Sequence, residues 1–190
     1  MAIKGEITFP GDKSISHRAL MIAALAEGES RISNLSTGVD VQSTRKCLED
    51  CGIKIRNDRN DVIVKGRNFS DPTEPLDCGN SGTTTRLLLG LMAGQGINAT
   101  FVGDKSLSAR PMNRILEPLS QMGLKYESQD GKLPITIQKS DLNGIHYESP
   151  IASAQVKSSI LLAGLGASGE TSVKEPIHVS YNHLSPPTKR

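Results

Sequence analysis

Three stretches of the chain are apolar on nearly every face a helix could present. Residues 19–26, 87–93 and 160–167 carry little charge and are rich in Leu, Ala and Gly. A helix without a polar face belongs inside a domain rather than on its surface. Two other stretches, 45–51 and 113–122, read as amphipathic helices, each stopped by a glycine (Gly52, Gly123) and followed by a short strand. After each strand come a turn (57–61 and 128–132) and a second β-rich run, Val62-Ile63-Val64 or Ile135-Thr136-Ile137.

These elements recur in order. Ser16-His17-Arg18 leads into the first apolar stretch, Thr84-Thr85-Arg86 into the second and Val156-Lys157-Ser158 into the third. Each has small polar residues, a cation, the apolar helix and a closing glycine: Gly28, Gly96 and Gly169, 68 and 73 residues apart. Gly52 and Gly123 are 71 apart, the same period. The chain is therefore internally repeated. One unit reads strand, buried helix, strand, amphipathic helix and two strands. Three inner helices packed together, with the amphipathic helices and strands as an outer layer, predict an α/β fold with pseudo-threefold repeats of βαβαββ units. The third unit is incomplete, because its second glycine is due near 193–196 and the chain has 190 residues. Ser185-Pro186-Pro187-Thr188 breaks a helix where one is expected. The chain is thus expected to be a fragment or to have an altered end.

Composition narrows the class of protein. Lys plus Arg is 22 and Asp plus Glu is 20, a net charge of +2, without the clustered basic excess of a nucleic-acid binder. Aromatic residues make up 3%, too few for base-stacking platforms. The longest apolar run falls well short of the ~20 residues that span a bilayer, and the first residues have no signal-peptide core. Cys47, Cys51 and Cys78 lack a second pair or nearby His for a metal site and read as reduced thiols of a cytoplasmic protein.

Candidate chemistry gathers just before the inner helices. Residues 11–18, 80–86 and 153–157 combine Gly, Ser or Thr with Lys or Arg. Each sits where a helix offers unpaired N–H groups and the positive end of its dipole. One such end is usually a simple cap. Three converging ends, each with a cation, point to a small anionic ligand. Gly11-Asp12-Lys13-Ser14 is not a nucleotide loop, since that motif needs Gly directly before Lys-Ser and Asp12 would repel a triphosphate. Arg110, before Pro111 at the first position of the second amphipathic helix, suits capture of a carboxylate or phosphate. His17, His146 and His183 have no triad partner and read as surface or capping residues.

Taken together, residues 10–19, 79–87, 109–112 and 152–158 resemble the 5-enolpyruvylshikimate-3-phosphate synthase family of enolpyruvyl transferases. The resemblance runs from about residue 3 to about 176. It implies an enzyme of two domains that needs no metal or organic cofactor, each domain an inside-out, barrel-like assembly of three such repeats, with this chain mostly the first. Residues 1–10 would be a strand pairing with the second domain, and 11–190 the shikimate-phosphate-binding domain with a truncated third repeat.

By position, the resemblance implies that Lys13 touches both phosphoenolpyruvate and shikimate 3-phosphate and acts in catalysis. Ser14 and Arg18 would bind the ring hydroxyl and carboxylate of the shikimate. Asn80, Gly82 and Arg110 would hold phosphoenolpyruvate, and Ser153 and Gln155 the shikimate phosphate and hydroxyls. Ala154 stands where many members have a second Ser, and Leu87 where others have Pro. Around Ser180, Asn182 and His183 the tail keeps part of the family pattern but loses its Arg, Thr and Glu. The expected partners are those two small molecules and the second domain of the same enzyme, in an otherwise monomeric cytoplasmic protein. Two alternatives remain: a sister transferase acting on a nucleotide sugar, whose loop Cys has no counterpart between Asp104 and Arg110, and a non-catalytic anion-binding module.

Overall fold

The computed structural model describes residue 9 and residues 11–176. The expected strand at 1–10, apart from residue 9, and the altered tail with Ser180, Asn182, His183 and the Pro186-Pro187 breaker lie outside the described residues. In chain order the elements are α1 (Lys13–Leu25), β1 (Glu29–Ser33), α2 (Val39–Asp50), β2 (Lys54–Asp58) and β3 (Asp61–Lys65). The second unit follows as β4 (Leu76–Asp77), α3 (Gly82–Gly94), β5 (Ala99–Val102), α4 (Lys105–Ser108), α5 (Asn113–Gln121), β6 (Lys125–Gln129) and β7 (Lys132–Gln138). The third comprises β8 (His146–Glu148), α6 (Ala154–Gly164) and β9 (Ser172–Lys174).

Each unit carries its own sheet on the outside of the helices. The first is antiparallel in the order β1-β3-β2, and the second runs β4-β5-β7-β6 with β4 parallel to β5. In the third, β8 and β9 pair in parallel. The glycines that marked the repeat are where the chain turns left-handed: Gly96 (φ 65°), Gly52 (89°) and Gly123 (104°) directly follow the caps of α3, α2 and α5, whereas Gly28 (82°) and Gly169 (84°) lie in the turns from α1 to β1 and from α6 to β9. A side chain is strained at such φ values, which is why the same residue recurs at each of these turns.

The inner helices α3 and α6 run side by side and in step. A Cβ on Gly90 would lie 2.1 Å from the Ser159 carbonyl oxygen, and one on Gly94 would lie 2.8 Å from that of Ala163. Glycine here is a packing requirement, bringing two backbones into contact. All of Leu87, Leu88, Leu89, Leu91 and Met92 are buried, as an all-apolar helix predicts. The outer helix α5 buries the stripe Ile115, Leu116 and Leu119, and α2 buries Val41, Cys47 and Leu48.

Three local features differ from expectation. Complete burial holds for α3 but not for α1 and α6, whose Ile22, Leu161 and Leu165 are exposed by 60%, 43% and 70%. A single helical turn, α4, precedes α5, its start fixed by the Asp104 carboxylate accepting from the Leu107 N–H at 2.7 Å. As a result α5 begins at Asn113, and Pro111 lies before the helix instead of at its first position. The three cysteines are buried free thiols; burial pushes Cys51 up to about 12, so it stays protonated at neutral pH.

Candidate anion-binding site

The starts of α1, α3 and α6 are each capped by their own side chain: Asp12 accepts from Ile15 N–H, Ser81 from Thr84 N–H and Ser153 from Val156 N–H. Capping uses part of the donor set at each end, so the helix starts alone do not make the site. What gathers them is a web of side-chain hydrogen bonds between the helices.

From α1, the Arg18 guanidinium reaches α6, donating to Ser158 Oγ at 2.9 Å and to the Ala154 carbonyl at 3.5 Å. It also holds the carbonyl of Ser14, whose side chain is exposed. From α3, Arg86 donates to Gln155 Oε1 on α6 at 2.9 Å, and Gln155 Nε2 returns a bond to Thr83 Oγ1 at 3.0 Å. Arg110 donates to Asn80 Oδ1 at 2.7 Å, while Asn80 Nδ2 donates to Asp104 at 2.6 Å, so the asparagine aims the guanidinium. Gly82 lies against both arginines: a Cβ there would meet Arg86 Nη1 at 2.8 Å and Arg110 Nη1 at 3.6 Å.

Arg86, Arg110, Arg114, Ser153 and Gln155 line one cleft of about 250 Å³. The half-buried Arg86 is lowered below the usual guanidinium range, first by desolvation and then by the charges of Arg110 and Arg114. A like-charged cluster in a partly dry cleft is favourable only with an anion to complete it. Lys13 stands apart from this group, its ammonium paired at 3.0 Å with Asp40 of α2. An exposed pair of that kind is worth roughly 0.2–1 kcal/mol, so an incoming anion can replace it. The end of α6 already holds a carboxylate. Glu175 accepts from the Ser153 N–H at 3.1 Å and from Lys157 Nζ at 2.6 Å.

His17 is neither a surface residue nor a cap. It is fully buried, with Nδ1 2.7 Å from Thr44 Oγ1; Thr44 Oγ1 in turn lies 2.7 Å from Thr84 Oγ1, which donates to Ser81 Oγ at 2.7 Å. This relay joins α1, α2 and α3 behind the site. Burial lowers His17 to about 4, with Asp40 opposing and Lys13 and Arg18 reinforcing the shift, so the ring is neutral at pH 7. His146 is exposed on β8, with Nδ1 2.7 Å from Ser172 Oγ, and His183 lies outside the described residues. Arg86 is not among the predicted site residues, although the repeat carried the signal: it occupies the cation position shared with Arg18 and Lys157. Nothing local marks Arg114 or Glu175.

The βαβαββ repeats and the cationic cleft at the starts of α3 and α6 define the class: an α/β repeat protein with an anion-binding site. Residues 1–185 match the family model described as EPSP synthase (3-phosphoshikimate 1-carboxyvinyltransferase). The chain belongs to the EPSP synthase family. It is similar to 3-phosphoshikimate 1-carboxyvinyltransferases of Citrifermentans bemidjiense (48% identity) and Bacillus licheniformis (46%), each aligned over 96% of this chain. Of those two proteins it spans 43% and 44% of the length. Two solved structures of EPSP synthase from Acinetobacter baumannii superpose with TM-scores of 0.86 and 0.87 at 43% and 44% identity. They are covered over 40% and 42% of their chains, and cover 91% and 93% of this one. Among the described residues no helix is long and apolar enough to cross a membrane.

Proposed function

We propose that this chain supplies the shikimate 3-phosphate side of a cytoplasmic enolpyruvyl transferase. The carrying observation is that side-chain bonds draw the starts of α1, α3 and α6 around Arg18, Arg86 and Arg110. In the reaction, the 5-hydroxyl of shikimate 3-phosphate attacks C2 of phosphoenolpyruvate while C3 takes a proton, and phosphate then leaves. Bringing two polyanions together costs repulsion, which fixed cations offset without reorganising during the reaction. Arg18 and Ser14 take the shikimate carboxylate and hydroxyl, Ser153 and Gln155 its phosphate and hydroxyls. Arg110, aimed by Asn80 beside Gly82, takes phosphoenolpyruvate, and Lys13 leaves Asp40 to bridge the two anions. Arg86 holds Gln155 in place. The second domain of the same enzyme supplies the acid–base groups, in an otherwise monomeric protein.

Calorimetric titration with shikimate 3-phosphate tests this. Binding that weakens about tenfold in Lys13→Met, the loss of roughly 1.4 kcal/mol of charge-assisted contact, supports it. Unchanged affinity, or preference for a nucleotide sugar, overturns it. Glu175 gives a separate expectation. Its carboxylate occupies the α6 N-terminus where the phosphate is placed, so Glu175→Gln should tighten inorganic phosphate binding about fivefold, roughly 1 kcal/mol. Calorimetry against phosphate reads this directly; weaker binding in the variant would make Glu175 a support of the site and not an occupant.

A further inference from the structure

Behind the anion site, the protons carried by His17, Thr44, Thr84 and Ser81 fix the order of their hydrogen bonds. The Thr84 hydroxyl has one proton. On one side it donates to Ser81 Oγ at 2.7 Å and toward the Asp40 carbonyl at 3.1 Å, and a carbonyl can only accept. On the other side Thr44 Oγ1 lies 2.7 Å away. With the Thr84 proton committed to Ser81 and Asp40, the Thr44 proton must close that contact. Thr44 then has none left for His17 Nδ1, 2.7 Å from its oxygen, so the nitrogen must donate. The ring is neutral at pH 7 and carries one N–H, which this order places on Nδ1. Nε2 is left bare, in keeping with its burial and its having no hydrogen-bond partner among the described residues. The reverse order would strand an N–H donor in that dry position and leave Thr84 nothing to give the Asp40 carbonyl.

The far end of this chain of bonds falls on the two segments that carry the site. Asp40 holds Lys13 Nζ at 3.0 Å through its carboxylate, while its carbonyl takes the Thr84 proton. Ser81 stands between Gly82 and Asn80, which accepts from Arg110 at 2.7 Å. Its Oγ is fixed twice by Thr84, through the N–H at 3.1 Å and through the hydroxyl. We infer that Thr84 is a positioning residue of the anion site: its one proton ties α2 to the start of α3, sets the spacing between Lys13 and the Asn80–Gly82 loop, and leaves His17 in its Nδ1–H form. Fully buried, Thr84 touches no ligand itself. The inference rests on the proposed function only in taking the anion to lie between Lys13 and Arg110. Hydrogen bonds that run in one direction polarise one another, so the order holds better than its separate bonds would.

Nitrogen-15 spectra of the imidazoles at pH 7 read the order in the parent chain without any ligand. For His17 the expected result is a protonated Nδ1 and a bare Nε2. The opposite pattern overturns the inference, since Thr84 would then give its proton to Thr44. Titration with inorganic phosphate and with phosphoenolpyruvate reads the positioning. Thr84→Val should bind about fivefold more weakly, and Thr84→Ser, which keeps the hydroxyl, within about twofold of the parent. Thr44→Val controls for lost stability: it removes an equally buried hydroxyl but leaves Thr84 bonded to Asp40 and Ser81, so it should melt lower and bind as the parent does. The Asn80 and Gly82 amide signals should move further in Thr84→Val than in Thr44→Val. Unchanged affinity in Thr84→Val, or equal weakening in Thr44→Val, overturns the inference. A parent that binds neither anion counts against the proposed function alone, because the imidazole and amide spectra still decide the role of Thr84. Should Thr84→Val not fold, the parent's imidazole spectrum and the affinity of Thr84→Ser decide it.

Discussion

Gly90→Ala should lower the melting temperature by about 4–8 °C. Alanine is the better helix former by about 1 kcal/mol, so in an open helix the change would stabilise. Here the added methyl falls 2.1 Å from the Ser159 carbonyl oxygen and 2.7 Å from its carbonyl carbon. Those are backbone atoms of α6 and cannot rotate away, so the two helices must separate. Overpacking of this kind costs about 3 kcal/mol, leaving a net loss of about 2 kcal/mol, and each kcal/mol moves the midpoint about 2–4 °C at this chain length. Because Gln155 on α6 is bonded to Arg86 and Thr83 on α3, separation should also weaken phosphate binding. Thermal denaturation followed by circular dichroism checks the first effect and calorimetry the second. A melting point at or above the parent's would mean that the two backbones are not in contact.

The second large effect is acid destabilisation through His17. In the unfolded chain its imidazole takes a proton near pH 6.5, whereas the folded protein resists protonation until about pH 4. The unfolded state therefore binds the extra proton first as pH falls. Stability from this residue is complete above pH 6.5, declines between 6.5 and 4, and levels off below. The whole loss is at most about 3 kcal/mol. Asp61, Asp71 and Asp104 are all lowered from 3.8 by hydrogen bonds, so what they contribute is lost only at more acid pH, outside this window. Urea unfolding at pH 7.0, 5.5 and 4.5 should show the decline, and His17→Asn, which can still hydrogen-bond Thr44 but does not titrate, should flatten it. An equal decline in the variant would assign the acid sensitivity to other groups.

What could be read from the amino-acid order follows from range. Closing glycines, the all-apolar α3 and the β3 and β7 runs are signalled by residues within a few positions of themselves, and each is where the pattern puts it. Helix α4 is one turn long, too short to show a period, although Asp104 before it is an ordinary cap. The exposure of Ile22 and Leu165 is invisible locally, because an apolar side chain states a need for cover and not what covers it. The burial of His17 is hidden for a related reason. Its partners are 27 residues away at Thr44 and, through that hydroxyl, a further 40 at Thr84. In the site, the cations at helix starts were legible from the repeat, Arg86 included. That Asn80 aims Arg110, and that Glu175 lies on Ser153, depends on contacts across 30 and 22 residues.

The relay behind the site also constrains how this sequence can drift. Thr44 and Thr84 are fully buried, Ser81 nearly so, and a chain of hydrogen bonds links these three hydroxyls to the imidazole, Thr84 donating to Ser81. Changing one member alone strands a neighbouring polar group in the dry interior, at about 1–3 kcal/mol, while exchanging neighbouring partners together for apolar residues of similar shape can be nearly neutral. The four positions should consequently be inherited as a block, so a homologue lacking the histidine is expected to differ at Thr44 as well.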